Sequence, residues 1–503
     1  MRARAHKWWL GLALELTWLG WPSPALAYEA EVDASIDAQY YTLSSPWGDP
    51  LVRRRRYTET LGLSVWNIQG QDDPRGARLT FQSRMRLDAD FGQSSAERQL
   101  GSSRYIPGLE QAPLDLMYAY LEGERYFDGY FGFKLGRQYQ FDTLGFWSFD
   151  GALVSLSTPV GLVFDAYAGF EQRGGGLPLL GTRRFEAQGV YRGDRYGFQD
   201  NYYPAFLEES AVAPAGGVAV EASGFGVLHS RLAYRKVINR DEVVVSPFVD
   251  AGGGLYYLRG DRTSSERIGY SLRADHPSLG ALNASLVYDF YNQLLSEYSA
   301  SADAYVTRKV TVGASFERYT PTFDGDSIFN WFAHSPTTSA LGRADVRFSR
   351  RVQATLSGGV RWFETEGDPD TYAADPDQSK TQRLVDLTLD AGARFDYGAS
   401  SIALRGGGET GERGHRLGGD VTGRRRFSSR YDGLCVVSLW DWSDALREDR
   451  DATSVGYVLG GGLTPGPSFF SRSRLGFELE HNINRLVGHR FRALLTLDLT
   501  VLK

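Results

Sequence analysis

The segment from Ala77 to Phe91 changes character at every residue, and this alternation constrains the fold more than any other feature of the chain. The even positions are polar or charged, and they are Arg78, Thr80, Gln82, Arg84, Arg86, Asp88 and Asp90. Successive side chains of a β-strand point to opposite faces, so the segment predicts a strand with one apolar face and one charged face. A strand of 15 residues is long for a globular sheet and fits a tilted membrane crossing. The pattern therefore predicts the wall of a transmembrane barrel.

Similar alternation recurs along the chain and gives 24 candidate strands. They include 183–192, 196–206 and 242–258, whereas 207–223 is expected to be a loop. Because up-and-down barrels contain an even number of strands, we predict an all-β, antiparallel transmembrane barrel of about 24 strands, within a range of 18–24.

The connections between candidate strands alternate between short and long. Tight-turn residues occupy connections such as 128–129, 159–161, 239–241, 308–309 and 398–400. The long connections are 44–56, 92–113, 207–223, 320–337 and 366–379. Short turns at one end and long loops at the other are typical of barrels in the outer membrane of Gram-negative bacteria, so we expect that location.

The N-terminus predicts a secretory signal, which places residues 1–27 in a cleaved peptide and 28–503 in the barrel. Arg2, Arg4 and Lys7 precede an apolar segment, and Ala25-Leu26-Ala27 forms a cleavage site. The net charge of −6 gives no reason to expect a nucleic-acid partner. With Cys435 as the single cysteine, neither a disulfide framework nor a thiol metal site is expected.

One segment, Phe131–Ser157 (FGFKLGRQYQFDTLGFWSFDGALVSLS), resembles the Gram-negative outer-membrane porins, particularly alginate-export-type channels. The match consists of a strand ending in Gly-Arg-Gln with Arg137 and Gln138, an acidic aromatic loop that contains Asp142, and Asp150-Gly151 at the start of the next strand. In that family this loop folds into the lumen. The resemblance therefore implies a constriction loop near 139–150 and a function in diffusion or polysaccharide export. Such barrels usually end on an aromatic residue, whereas the last residue here is Lys503.

The charged face of 77–91 must point into the lumen, because an arginine at mid-depth in hydrocarbon costs roughly 2–4 kcal/mol. Arg78, Arg84, Arg86, Asp88 and Asp90 are therefore candidate lumen residues. One interpretation is an arginine ladder that guides anionic solutes such as carboxylated sugars. The other is a hydrated wall that does not distinguish anionic from other solutes.

We expect an outer-membrane channel for the diffusion or export of hydrophilic solutes. Anionic solutes and polysaccharides are the candidates. The alternative is a non-conducting barrel that scaffolds an envelope or surface machine with periplasmic or lipoprotein partners. An enzyme is not expected, because His229-Ser230 and His334-Ser335 are sequence neighbours, and neighbours on a strand point to opposite faces. No cofactor or metal is expected either, since the histidines show no ligand spacing.

Expected partners are membrane lipid, lipopolysaccharide and the barrel assembly machinery. Two arginine runs, 53–56 and 424–426, are candidates for binding lipopolysaccharide phosphates. A solvated or lumen-facing position is an equally good interpretation of both runs.

Overall fold

A computed structural model of the chain describes residues 28–70, 73, 75–90, 114–172, 213–249, 255–322, 336–365, 382–445, 449, 451–466 and 470–502. The predicted signal segment and the candidate strands 183–192 and 196–206 lie outside the described residues. Within the described ranges, no helix has the length and apolar character needed to cross a membrane.

The described residues form 22 strands in one sheet. The strands are β1 (Glu29–Ser44), β2 (Pro50–Trp66), β3 (Arg78–Asp90), β4 (Leu114–Tyr126), β5 (Phe131–Asp142), β6 (Gly145–Ser157), β7 (Leu162–Glu171), β8 (Pro214–Phe225), β9 (Leu228–Val249), β10 (Leu255–His276), β11 (Gly280–Asp289), β12 (Leu294–Thr307), β13 (Val310–Tyr319), β14 (Thr337–Arg347), β15 (Val352–Thr365), β16 (Gln382–Tyr397), β17 (Ser400–Gly411), β18 (Gly414–Arg426), β19 (Tyr431–Asp444), β20 (Ala452–Leu463), β21 (Arg472–Asn484) and β22 (Gly488–Leu502).

Each strand pairs antiparallel with its neighbours in the chain, and β1 also pairs antiparallel with β22. This last pairing closes the sheet into a cylinder without a free edge. The predicted all-β antiparallel barrel is confirmed. Its 22 strands lie within the predicted range, two below the central value of 24.

Connections differ between the two ends of the cylinder. Short turns such as 127–130, 226–227, 308–309 and 398–399 all lie at one end, which we call the short-turn end. The opposite end, the long-loop end, contains the connections between β3 and β4, β7 and β8, β13 and β14, and β15 and β16. The predicted alternation of short and long connections is present.

Three local predictions are wrong. Residues 214–223 of the predicted loop 207–223 belong to β8, and the predicted loop 44–56 shrinks to 45–49 because β2 begins at Pro50. The predicted turn at 239–241 lies inside β9, where the pairing with β10 shifts register between Gly260 and Arg262. Candidate strand 242–258 accordingly covers the end of β9 and the start of β10.

Residue parity gives the cylinder two different faces. The outer face exposes large apolar side chains, among them Leu61, Leu63, Leu135, Leu156, Phe164, Leu232, Leu286, Leu356, Leu389, Leu404, Leu439, Leu459, Phe477 and Leu495. The inner face holds most of the ion pairs. With strands about 4.8 Å apart and tilted by about 40°, a 22-strand cylinder has a backbone diameter on the order of 45 Å. The interior is therefore wide unless part of the chain folds into it.

Candidate functional site: the inner wall and its inward hairpin

Part of the chain does fold inward. Strands β5 and β6 remain paired up to Asp142 and Gly145 and are joined by a turn at 143–144. The Asp142 carboxylate accepts a hydrogen bond of 2.9 Å from the Leu144 amide, and Gly145 has a φ of +89°, which suits glycine. Residues 139–150, predicted as a constriction loop, are therefore a β-hairpin.

Beyond Arg137 and Phe149, the hairpin separates from the barrel wall. Pairing of β5 with β4 ends at Arg137, opposite Ala119, and pairing of β6 with β7 ends at Phe149, opposite Glu171. Residues 138–148 therefore have no ladder partner in β4 or β7, and six residues of a strand span about 20 Å. We call residues 138–148 the lumen hairpin.

The tip of the lumen hairpin docks on the inner wall several strands away. Leu144 is buried in a cluster with small or apolar side chains of β8, β9 and β11, namely Ala219, Ala233 and Val287. Gly269 of β10 lies in the same row, and a Cβ built on it would be 2.8 Å from Leu144 Cδ2. We call these four wall residues the seat, because together they accommodate Leu144.

An arginine and three aromatic rings hold the hairpin against the wall. Arg235 of β9 is buried, donates to the Leu144 carbonyl over 3.0 Å, and lies 5.3 Å from the centre of the Trp147 ring. Trp147 stacks on the fully buried Phe149 at 4.2 Å, and both rings contact Tyr167 of β7. Trp147 Nε1 also donates to Glu171 over 3.0 Å. Two layers of β-structure pack about 10 Å apart, so the hairpin narrows the lumen by about that distance.

The predicted residues Arg137, Gln138 and Asp150 lie at the base of the hairpin. Arg137 donates to both oxygens of Asp150, over 2.7 and 3.0 Å, and to the Leu116 carbonyl of β4 over 2.9 Å. Gln138 donates to the Gly151 carbonyl over 3.1 Å. All three side chains are buried. They therefore brace the hairpin at its base.

The charged residues predicted on 78–90 lie on the inner face of β3, but Arg84 and Arg86 are paired with carboxylates. Arg84 pairs with Asp33 of β1, and Arg86 Nη2 lies 3.1 Å from Asp115 of β4. Asp88 accepts from Arg56 of β2 over 2.9 Å. Arg78 is exposed and stands opposite Glu124 in register, and Asp90 ends the strand. A ladder of free cations is therefore absent from this strand.

The pair between Arg84 and Asp33 spans an intervening strand, and a glycine makes room for it. Asp33, Gly62 and Arg84 lie in one row across β1, β2 and β3. A Cβ on Gly62 would overlap the Asp33 carboxylate. The same arrangement recurs at Gly313, over which Arg343 binds Asp303 with two contacts of 2.7 Å.

Two arginines near the short-turn end differ from these pairs. Arg424 and Arg426 lie on the inner face of β18. They stand opposite Leu434 and Asp432 of β19, respectively, in the pairing of the two strands. They line a recess of about 570 Å³ together with Arg394, Asp396, Ser401, Asp432 and Arg474. Arg394 is paired with Asp396 and Arg474 with Asp432. Among the described residues, Arg424 and Arg426 form no ion pair. Sequence reasoning found this run and left open whether it binds lipopolysaccharide or faces the lumen; Arg424 and Arg426 face the lumen.

The remaining sequence candidates are placed as follows. In the run 53–56, Arg54 and Arg56 fall on the inner face of β2, and Arg53 and Arg55 on the outer face. His229 and Ser230 are neighbours on β9 and so point to opposite faces. His334 and Ser335 lie outside the described residues.

Comparisons with known proteins give structural matches only. No family model matches the chain, and the search of curated proteins gives no match. Solved structures similar to this chain include OccAB1 of Acinetobacter baumannii, with 10% identity, a TM-score of 0.41, and coverage of 94% of this chain and 96% of that one. The outer membrane protein opdK of Pseudomonas aeruginosa shows 8% identity, a TM-score of 0.42, and coverage of 94% and 99%. OccK5 (OpdH) of Pseudomonas aeruginosa shows 8% identity, a TM-score of 0.40, and coverage of 95% and 98%. The matches do not show a resemblance to alginate-export channels.

Proposed function

We propose that this chain is a porin-like channel in the outer membrane of a Gram-negative bacterium. The observation that supports this most strongly is a closed cylinder whose outer face is apolar and whose inner face is polar. Such an outer face is unfavourable in water over so large an area, and it matches hydrocarbon. The polar interior, narrowed by a docked hairpin, suits a hydrated path that is wide enough for solutes and still selective.

The two ends give the barrel an orientation. Outer-membrane barrels place short turns in the periplasm and long loops outside the cell, so we infer that the long-loop end is extracellular. Arg53 and Arg55 lie on the outer face near that end. Arg318 and Arg383 lie on the outer face as well, and both pair with Glu364. We propose that these arginines contact lipopolysaccharide phosphates, whereas Arg424 and Arg426 lie too close to the periplasm to do so.

The solutes we propose are hydrophilic anions, carboxylated polysaccharides among them. Arg84 and Arg86 of β3 are neutralised by carboxylates, so they give the lumen little net charge. Arg424 and Arg426 retain their charge inside the recess at the periplasmic mouth. A guanidinium without an internal partner binds carboxylate or phosphate in bidentate fashion, so this recess attracts anions at one entrance of the channel.

The test is a single-channel recording in planar bilayers under a salt gradient, which gives the ratio of anion to cation permeability. We expect the native protein to prefer anions, and the double variant Arg424→Ala/Arg426→Ala to lose most of that preference. Arg351→Ala is the matched control. Arg351 lies at the same short-turn end, in the turn before β15, 5.6 Å from the centre of the Tyr397 ring, and does not line the recess, so its removal should not alter the ratio.

Two results would contradict this proposal. An unchanged permeability ratio in the double variant would remove the recess as the source of selectivity and leave the channel in place. Absence of conductance from folded, reconstituted protein would remove the channel itself. That outcome favours the alternative of a structural barrel that holds periplasmic or lipoprotein partners.

A further inference from the structure

The face of the lumen hairpin that points away from the wall is aromatic and exposed. Phe141 is 82% exposed, Phe146 66% and Tyr139 45%. Tyr139 stacks on Phe146 with ring centres 6.0 Å apart, and Tyr118 of β4 meets Tyr139 edge-on at 5.6 Å. Phe141 and Phe146 are opposite each other in the hairpin ladder. We call these four rings the aromatic strip.

The aromatic strip faces the lumen axis. Residues alternate between the two faces of the hairpin, and Trp147 and Phe149 occupy the face that packs on the wall. Phe146 therefore lies on the opposite face, and Phe141 and Tyr139 share that face by pairing and parity. Exposed aromatic surface in a hydrated lumen is unfavourable by about 25 cal/mol per Å². A contiguous patch of this kind marks a surface that meets a ligand.

The polar groups beside the strip narrow down the ligand. Arg84 stands opposite Tyr118 in register and is paired with Asp33, so the pair adds hydrogen-bond donors and acceptors but little net charge. A sugar ring has an apolar C–H face and a rim of hydroxyl groups. The aromatic rings can stack on the C–H face, and the Arg84–Asp33 ion pair can exchange hydrogen bonds with the hydroxyl groups. A small aromatic carboxylate would need a free cation at this point, and both Arg84 and Arg86 are already neutralised.

We propose that the aromatic strip is a stacking site for carbohydrate rings crossing the lumen, an inference that rests on the proposed channel function and specifies its solute. A saccharide slides across Phe141, Phe146 and Tyr139 while its hydroxyl groups exchange hydrogen bonds with the Arg84–Asp33 pair. For a carboxylated saccharide, the strip accepts the rings and the recess at the periplasmic mouth accepts the carboxylates.

The test uses maltohexaose, hexagalacturonate and benzoate as probes, added to single channels in planar bilayers. We expect both saccharides to interrupt the current of the native channel, and benzoate not to. Phe141→Ala and Phe146→Ala should shorten the mean blockade by maltohexaose about three- to tenfold, the effect of losing one aromatic contact. Phe141→Tyr keeps a ring and should preserve the blockade. Phe348→Ala, at a 62% exposed phenylalanine in the short turn after β14, is the matched control and should behave like the native protein.

Equal blockade times in the native protein and both alanine variants would overturn the stacking site while leaving the channel intact. Blockade by benzoate without blockade by maltohexaose would overturn the assignment to carbohydrate. Calorimetric titration of maltohexaose into detergent-solubilised protein tests the strip without conduction. Binding that Phe141→Ala weakens, in a barrel that does not conduct, would support the strip and contradict the proposed channel.

Discussion

The wall beneath the lumen hairpin and the wall across the lumen from it have the same strand geometry but opposite inner surfaces. Beneath the hairpin, the seat presents Ala219, Ala233, Gly269 and Val287. Across the lumen, ion pairs such as Arg343–Asp303, Arg361–Glu409 and Arg474–Asp432 cover the inner face. Water contacts the second surface and protein contacts the first. The chemistry of an inner-face position is therefore set by what covers it.

The same contrast applies to individual ion pairs. Arg137 and Asp150 are buried at the hairpin base, whereas Arg343 is largely exposed beside Asp303. Removal of one partner from a buried pair leaves an uncompensated charge in a poorly solvated position. Removal of one partner from an exposed pair leaves a charge that water solvates. Three substitutions test whether the covered and open walls differ in this way.

The largest effect is expected for Arg137→Ala, which leaves the Asp150 carboxylate buried without its guanidinium. We expect the free energy of unfolding to fall by about 3–5 kcal/mol. Urea unfolding in lipid vesicles, followed by tryptophan fluorescence, measures this. Arg343→Ala is the control and should cost about 1 kcal/mol or less. Equal losses in the two variants would contradict the distinction between covered and open walls.

A second substitution, Leu144→Ala, tests the seat. It empties the space between Ala219, Ala233 and Val287, which should weaken docking of the tip by about 2–5 kcal/mol. Amide hydrogen exchange of peptides covering 139–149 should therefore accelerate, while exchange of the distant strands stays constant. The control is Leu279→Ala, at an exposed leucine of the short-turn end. Hairpin exchange as slow as in the native protein would show that the seat does not hold the tip.

The smallest effect is expected for Gly313→Ala on the open wall. The added methyl group overlaps the Asp303 carboxylate and disrupts its contacts with Arg343. Because the pair is exposed, we expect a loss of about 1 kcal/mol or less in the free energy of unfolding, again by urea titration. Gly342→Ala, where the nearest atom to a new Cβ is 3.9 Å away, separates this contact from the general effect of replacing a strand glycine. A larger loss of stability in Gly342→Ala than in Gly313→Ala would argue that the space left by Gly313 for the Arg343–Asp303 pair does not matter.

The covered wall is also where prediction from the sequence failed. Alternation reveals a strand when one face meets water and the other hydrocarbon, as in 77–91. Strand β8 (PAGGVAVEASGF) has Ala215, Gly217 and Ala219 on its inner face, because the hairpin covers that face. Charges are not needed there, the contrast between its two faces is weak, and the strand was predicted as a loop.

The strand character of the hairpin was missed for a related reason. Phe141, Phe146, Trp147 and Phe149 put aromatic rings on both of its faces, so residues 139–149 show no alternation of polar and apolar character. The inward direction followed only from the resemblance of the Gly-Arg-Gln segment. Docking on β8–β11 depends on a seat assembled from four strands distant in sequence, which pattern analysis of single segments does not detect.

The pairing of β1 with β22 has a consequence for biogenesis. Thirteen registered positions from Glu31 to Leu43 find their partners only when the final strand arrives. Until then both strands present unsatisfied backbone donors and acceptors, a template for mispairing with other chains. The seam joins the most distant parts of the sequence, so the entropy lost in joining them is also the largest. A nascent chain must therefore be kept from aggregating until β22 has paired with β1.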